Sequence, residues 1–152
     1  MKIYFAGPLF SLAEKEFNKK LIAAIQKNLK HDVTFIIPQD YGEEIAGDPD
    51  FIQKAFDFCI AGVRSCDAII AVLDGADADS GTCIELGFGF ALGKPVIGVR
   101  TDFRTSEDRG LNLMVPGVCH TLIWKPGANT DQLGLEIALW LHHLCEQILP
   151  HN

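Results

Sequence analysis

Five short runs of almost wholly apolar residues punctuate this chain, separated by longer segments that are polar on one side. The runs are KIYFAG (2–7), DVTFIIP (32–38), DAIIAVLD (67–74), PVIGVRT (95–101) and VCHTLIW (118–124). A strand that is apolar at nearly every position, rather than at alternate ones, has no face suited to water. Such strands need cover on both sides, which the helices joining parallel neighbours supply.

The intervening segments read as those helices. Over 11–30, Ser11 and Glu14 have the S-x-x-E spacing of a capping box, and Leu21, Ile22, Ile25 and Leu29 recur at helical intervals. Asp48 and Pro49 read as an N-cap and a first-turn proline for a helix running to about Ser65. Residues 80–93 form the next helix, and a last one begins near Thr130. Residues 39–48, with Gly42 and Gly47, and residues 102–112 read as polar loops. The expected fold is α/β: a three-layer sandwich around a five-stranded parallel sheet, Rossmann-like or flavodoxin-like. Residues 1–152 form one domain with one core. In such sheets ligands sit beyond the carboxyl ends of the strands, where the strand order reverses. The loop after Gly7, the loop around Asp40 and the Asp74–Ser80 loop should meet there.

Composition narrows the partners. A hydrophobic content of 48% with 22% charged residues is that of a folded globular chain. The net charge of −7 argues against a nucleic-acid polymer or an anionic membrane as partner and leaves small neutral ligands open. Gly7 and Pro8 interrupt the apolar opening, which therefore lacks a signal-peptide core. No later stretch has the roughly 18 apolar residues of a membrane span. Five cysteines, an odd number in apolar contexts, read as reduced thiols of a cytoplasmic protein.

Among the motifs, Glu85 stands out as a carboxylate amid Cys83, Ile84, Leu86, Gly87 and Phe88. Burying it without partners costs several kcal/mol or shifts its pKa. If Ser80 caps the helix, Glu85 lies in the second turn, near the positive end of the dipole, a location that favours the ionised form. Gly87 and Gly89 each cost roughly 1 kcal/mol relative to Ala in a helix, which implies close packing against this face. Asp79 and Ser80 are both ordinary N-cap residues. Asp74, Asp77 and Asp79 do not match the calcium-loop spacing, and GFGFALG lies inside a helix, so it lacks the setting of a dinucleotide fingerprint. The adjacent His142 and His143 point about 100° apart and do not share an ion. No metal is expected. Tyr4, three residues before the AGP turn, is either core or a hydroxyl reaching into the switch-point crevice.

Taken together, IYFAGPLF, then CDAIIAVLDGADADSGTCIELGFGFALGKPVIGVRTDFR, then GLNLM at 110–114 resemble the nucleoside 2-deoxyribosyltransferase family. The resemblance implies exchange of nucleobases on 2'-deoxyribose through a covalent deoxyribosyl-glutamate, without cofactor. It places the nucleophile at Glu85, an orienting hydroxyl at Tyr4 and a sugar-binding carboxylate at Asp79. Further substrate contacts would come from Gly7, Pro8 and Phe10, from Asp40 and Asp57, and from Ser80 and Gly81. Asn112 and Met114 in GLNLM complete the set, with Asn112 reaching the 5' end of the sugar from a neighbouring subunit. The implied partners are 2'-deoxynucleosides and free nucleobases, and the implied assembly is a homo-oligomer with shared sites.

One departure is visible. Where some members carry an acid that assists the leaving base, this chain has Cys59; Asp57, two residues earlier, would point to a different helix face. Two other functions compete. A sister class hydrolyses 2'-deoxynucleoside 5'-monophosphates with the same glutamate, but tends to have serine where this chain has Asp79. An aspartate a few ångströms from a phosphate repels it by on the order of 1–4 kcal/mol, which favours nucleosides here. A nucleotide-sensing module without catalysis would need no aligned nucleophile.

Overall fold

The computed structural model describes residues 1–105 and 110–148. Each apolar run contributes a strand: β1 (Lys2–Ala6), β2 (Thr34–Ile36), β3 (Ala68–Val72), β4 (Val96–Arg100) and β5 (Thr121–Trp124). They form one parallel sheet in the order β2-β1-β3-β4-β5. Every residue of β3 and β4 is buried, as doubly covered strands require, whereas the edge strands β2 and β5 are partly exposed.

Side chains alternate across the sheet, so the apolar residues form two cores, one on each face, where a single core was expected. Ile3, Phe5, Ile70, Val72, Ile97 and Val99 face one side, against α1 (Leu12–Asn28) and α6 (Thr130–Ile148). Tyr4, Ala6, Ile69, Ala71 and Val96 face the other, where Val63, Leu86 and Val115 complete the packing. Those three come from α3 (Phe51–Ser65), α4 (Ser80–Ala91) and α5 (Met114–Val118). This is the three-layer α/β sandwich expected from the runs. Its alternation places Tyr4 on the same side of the sheet as Glu85.

Several boundaries follow the sequence signals. Ser11 accepts from the Glu14 amide while the Glu14 carboxylate accepts from the Ser11 amide, so the α1 capping box is real. The third helix ends at Ser65 and the last begins at Thr130, where Asn129 and Gln132 bond reciprocally. Other signals were overridden. Much of the segment 39–48, expected as a loop, lies in α2 (Pro38–Glu44); Pro38 opens this helix instead of ending a longer strand. A proline at the first helical position loses nothing, because that amide has no intrahelical partner. The cap of α3 is at Asp50, not Asp48. Asp48 lies in the preceding turn, accepting the amides of Asp50 and Phe51. The strand expected from Val118 starts only at Thr121, because α5 occupies 114–118. Of the loop expected at 102–112, residues 106–109 lie outside the described residues.

Helices α1 and α6 approach closely at Gly134, where an added Cβ would stand 2.6 Å from the Ala24 carbonyl carbon and from its Cβ. Gly134→Ala would gain about 1 kcal/mol of helix propensity. It would also overpack against backbone that has no room to yield, at about 1–3 kcal/mol. Net destabilisation is expected in chemical denaturation; a stabilised variant would show that the two helices separate freely.

Candidate active site

Tyr4 and Glu85 are 81 residues apart in sequence and are joined by a hydrogen bond: the Tyr4 hydroxyl donates to Glu85 Oε1 at 2.7 Å. Tyr4 reaches this position because β1 turns it toward the α3/α4 layer, where it is wholly buried. Helix α3 makes room with Gly62, at which a Cβ would lie 2.7 Å from the tyrosine ring. Glu85 is half-buried on the facing side of α4. The close approach implied by the two glycines is made at one of them: a Cβ at Gly89 would collide with Ile69, while Gly87 faces open space.

Asp79, not Ser80, caps α4. Its Oδ2 accepts from the Thr82 amide at 2.8 Å and from the Thr82 hydroxyl at 3.1 Å. With the cap at Asp79, Glu85 is the sixth residue of the helix and sits in its second turn. The helix dipole fades beyond the first turn, so burial decides the electrostatics. Burial pushes the Glu85 carboxyl above its ordinary range, and the charge of Asp79 adds to this; the Tyr4 hydroxyl and the Cys59 thiol pull the other way. The expectation that position alone would favour the ionised form is therefore corrected: ionisation here depends on the donors. Burial, followed by the Glu85 charge, raises Tyr4 far above its usual range, so it stays a neutral donor. Burial raises Cys59 as well.

The remaining expected residues follow β1, lie on α2, α3 and α4, and stand at the start of α5. Gly7 and Pro8 leave β1 half-buried and buried, with the Pro8 carbonyl accepting from Asn18 Nδ2 at 2.9 Å. Phe10 is 75% exposed, and its amide is taken by Glu14 at 3.0 Å. Ser80 and Gly81 are exposed in the first turn of α4. Asp40 is exposed in α2; its neighbour Gln39 is the residue that turns inward, accepting from Asn18 at 3.1 Å. Asp57 is exposed and bonded to Gln53 along α3, on the side away from Cys59. Asn112 is exposed and its Oδ1 accepts the Met114 amide at 3.1 Å, while Met114 itself is 67% exposed.

Of the three segments expected to converge, two do. A hollow of about 380 Å³ between the β1 and β3 exits is lined by Pro8, Ser11, Glu14, Asp74 and Gly75. Asp40 lines separate hollows beside Ile37. Among the described residues, no group of three or more His, Cys, Asp or Glu side chains could hold a metal ion. No described helix is long and apolar enough to cross a membrane.

The sequence reading put Cys59 at the leaving-base position without linking it to Glu85, and it left Gly62, Gln39 and Thr82 out of the site. A signal existed for Cys59 and Gly62: positions i and i+3 on α3 share a face. The sign of the burial effect yields a test. With its folded-state pKa raised, charged Glu85 weakens folding once pH exceeds the unfolded carboxyl value, and protonated Glu85 does not. Glu85→Gln keeps an acceptor for Tyr4 and is expected to raise the thermal midpoint at pH 7. The gain should vanish below about pH 4, where both states are protonated. A lowered midpoint at pH 7 would contradict burial as the dominant influence.

Comparison with known proteins places the chain in a family. The family model for nucleoside 2-deoxyribosyltransferase matches residues 3–114. A protein of Enterococcus faecalis V583 is 27% identical, with 92% of this chain and 98% of that one covered at a TM-score of 0.71. The 2-deoxyribosyltransferase of Leishmania mexicana is 28% identical, with 93% and 97% covered and a TM-score of 0.61. That of Bacillus psychrosaccharolyticus shares the fold at 19% identity, with 88% and 90% covered and a TM-score of 0.68. The family match runs from the strand that carries Tyr4, through the helix that carries Glu85, to the start of α5, and on that span the chain belongs to the nucleoside 2-deoxyribosyltransferase family.

Proposed function

We propose that this protein moves 2'-deoxyribose between nucleobases, with Glu85 as the nucleophile. The observation that carries the reading is the Tyr4–Glu85 hydrogen bond, which holds a half-buried carboxylate on the α4 side of the sheet. Tyr4 holds Oε1, leaving Oε2 to attack C1' of the sugar. The C1'–N bond breaks as the ester forms, and the departing base takes up a proton. A ring nitrogen of a second base then attacks C1', its proton is lost, and the ester C–O bond breaks to return Glu85. Two displacements at one carboxylate retain the sugar's configuration, as in retaining glycosidases.

The electrostatics favour a neutral sugar end over a phosphorylated one. Helix N-termini attract phosphates when their amides are free. Here Asp79 occupies the start of α4, and Glu14 takes the amides of Phe10 and Ser11 ahead of α1. A 5'-phosphate would meet carboxylates in both places, whereas a 5'-hydroxyl can donate to them. Asp79 Oδ2 is engaged by Thr82, so Oδ1 would accept from the sugar. A 2'-hydroxyl would crowd the nucleophile, so ribonucleosides would react slowly.

Gly7, Pro8, Phe10 and Asp40 would border the base, and Ser80 and Gly81 the sugar. Asp57 faces away from Cys59, so a role for it in substrate binding needs a partner subunit to close over α3. The exposure of Asn112 and Met114 suits residues that complete a neighbouring subunit's site, so the protein would act as a homo-oligomer. Five cysteines without a disulfide suit a cytoplasmic enzyme.

Chromatography of the protein with a 2'-deoxynucleoside, with and without a second free base, tests the reading. A new deoxynucleoside is expected only when the acceptor is present. Free base and deoxyribose without exchange would instead make the protein a hydrolase, and binding with no base released would make it a sensor. Glu85→Ala should lower exchange by roughly 10³-fold or more, since a covalent route has no substitute for its nucleophile. Near-normal exchange in that variant would overturn the mechanism. Asp79→Ser should shift the kcat/KM ratio toward 5'-monophosphates; an unchanged ratio would remove Asp79 from substrate selection.

A further inference from the structure

Arg100, the last residue of β4, has a side chain with no solvent exposure, and among the described residues its partners are carbonyls rather than a carboxylate. Its guanidinium donates to the carbonyls of Leu73, of Gly75 at 3.1 Å and of Arg104 at 3.3 Å. The Trp124 ring lies 6.0 Å from the guanidinium carbon, and Nε has no hydrogen-bond partner among the described residues. A buried cation held by dipoles, with one donor unsatisfied, is not the arrangement that maximises stability; an apolar side chain could fill the space. What arginine adds is a planar fork that ties separate stretches of backbone together.

The stretches it ties are those that lead to the site. Leu73 and Gly75 open the turn from β3 to α4, which runs on to Asp79 and Glu85. Arg104 lies in the segment after β4. Further bonds cross between the same two segments. Asp74 accepts the amides of Thr101 at 2.6 Å and Asp102 at 3.0 Å together with the Thr101 hydroxyl, and the Gly75 amide donates to Asp102 at 3.3 Å. Gly110 closes on this junction from its other side: a Cβ there would lie 2.6 Å from the Arg104 carbonyl and 3.3 Å from Trp124. Asn112 and Met114 follow directly.

We propose that Arg100 is a positioning residue: its guanidinium locks the β3–α4 turn to the segment after β4 and so sets where Asp79 and Glu85 stand relative to the carboxyl ends of the strands. The inference rests on the reading of Glu85 as the nucleophile. An attacking oxygen displaced by even 1 Å can lose about a hundredfold in rate while the substrate still binds. A merely structural arginine would instead lower stability and leave the folded enzyme as active as before.

Arg100→Lys keeps the charge without the fork, and Asp74→Asn weakens the same junction from the other segment. Each variant would be assayed for exchange at a temperature where circular dichroism shows it folded. Hydrogen exchange by mass spectrometry would follow the peptides spanning 73–82. Folded Arg100→Lys is expected to lose at least tenfold in kcat with KM for the deoxynucleoside within threefold, and to exchange at least tenfold faster over 75–82. Asp74→Asn should show the same pattern more weakly, and it decides the matter if the lysine variant does not fold. An unchanged kcat, or activity lost only in step with the folded fraction, would overturn the proposal. Should the wild-type protein show no base exchange, the Glu85 reading fails separately. The hydrogen-exchange comparison then decides alone: faster exchange over 75–82 supports the lock, and unchanged exchange refutes it.

Discussion

The Tyr4–Glu85 hydrogen bond is what allows a carboxylate to sit between a sheet and a helix in a layer otherwise filled with apolar side chains. Without a donor the group would take up a proton or turn outward, because burial alone disfavours its charge. Much of the surrounding architecture serves this contact. The first strand must be central enough to bury the tyrosine, and the third helix must carry a glycine where the ring passes. The fourth helix must be capped at Asp79 so that its second turn meets the ring.

A second level of organisation lies in the polar ties at the carboxyl ends of the strands. Asn18 is buried on α1 and donates both to the Pro8 carbonyl and to Gln39, linking the exit of β1 to the start of α2. Arg100, Asp74 and Asp102 do the same for the exits of β3 and β4. Loops that carry ligand-binding residues normally belong to the less stable parts of a fold. Here several are fastened by buried or half-buried side chains, so the crevice can be pre-organised without the loops themselves being apolar. Among the described residues, Asn18 Oδ1 and Arg100 Nε are left unpartnered. That pattern fits loops shaped for a site at some expense to stability.

The acidic residues form a third pattern. Glu14 and Asp79 each satisfy amides at a helix start that would otherwise attract an anion. On the proposed reading, the same caps that stabilise the helices put carboxylates where a 5'-phosphate would come.

The sequence by itself determined the sheet, the two layers of helices and the parallel connections, because burial on both faces and helical periodicity are properties of contiguous residues. It also marked Tyr4, Asp79 and Glu85 by motif, and it anticipated the α1 capping box and the ends of the longer helices. Short elements escaped it. Helices α2 and α5, of seven and five residues, carry too little periodicity to be told from loops, and their boundaries depend on what packs above them. Only the tertiary structure decided the electrostatics of the site. The partners of Glu85 lie on a strand 81 residues away and on a third helix. The direction of its pKa follows from how deeply those elements enclose it rather than from its place in its own helix. Arg100 shows the same limit: within PVIGVRT it is one polar residue at the end of a strand. Its function as a tie exists only where two chain reversals bring the carbonyls of Leu73, Gly75 and Arg104 around one guanidinium.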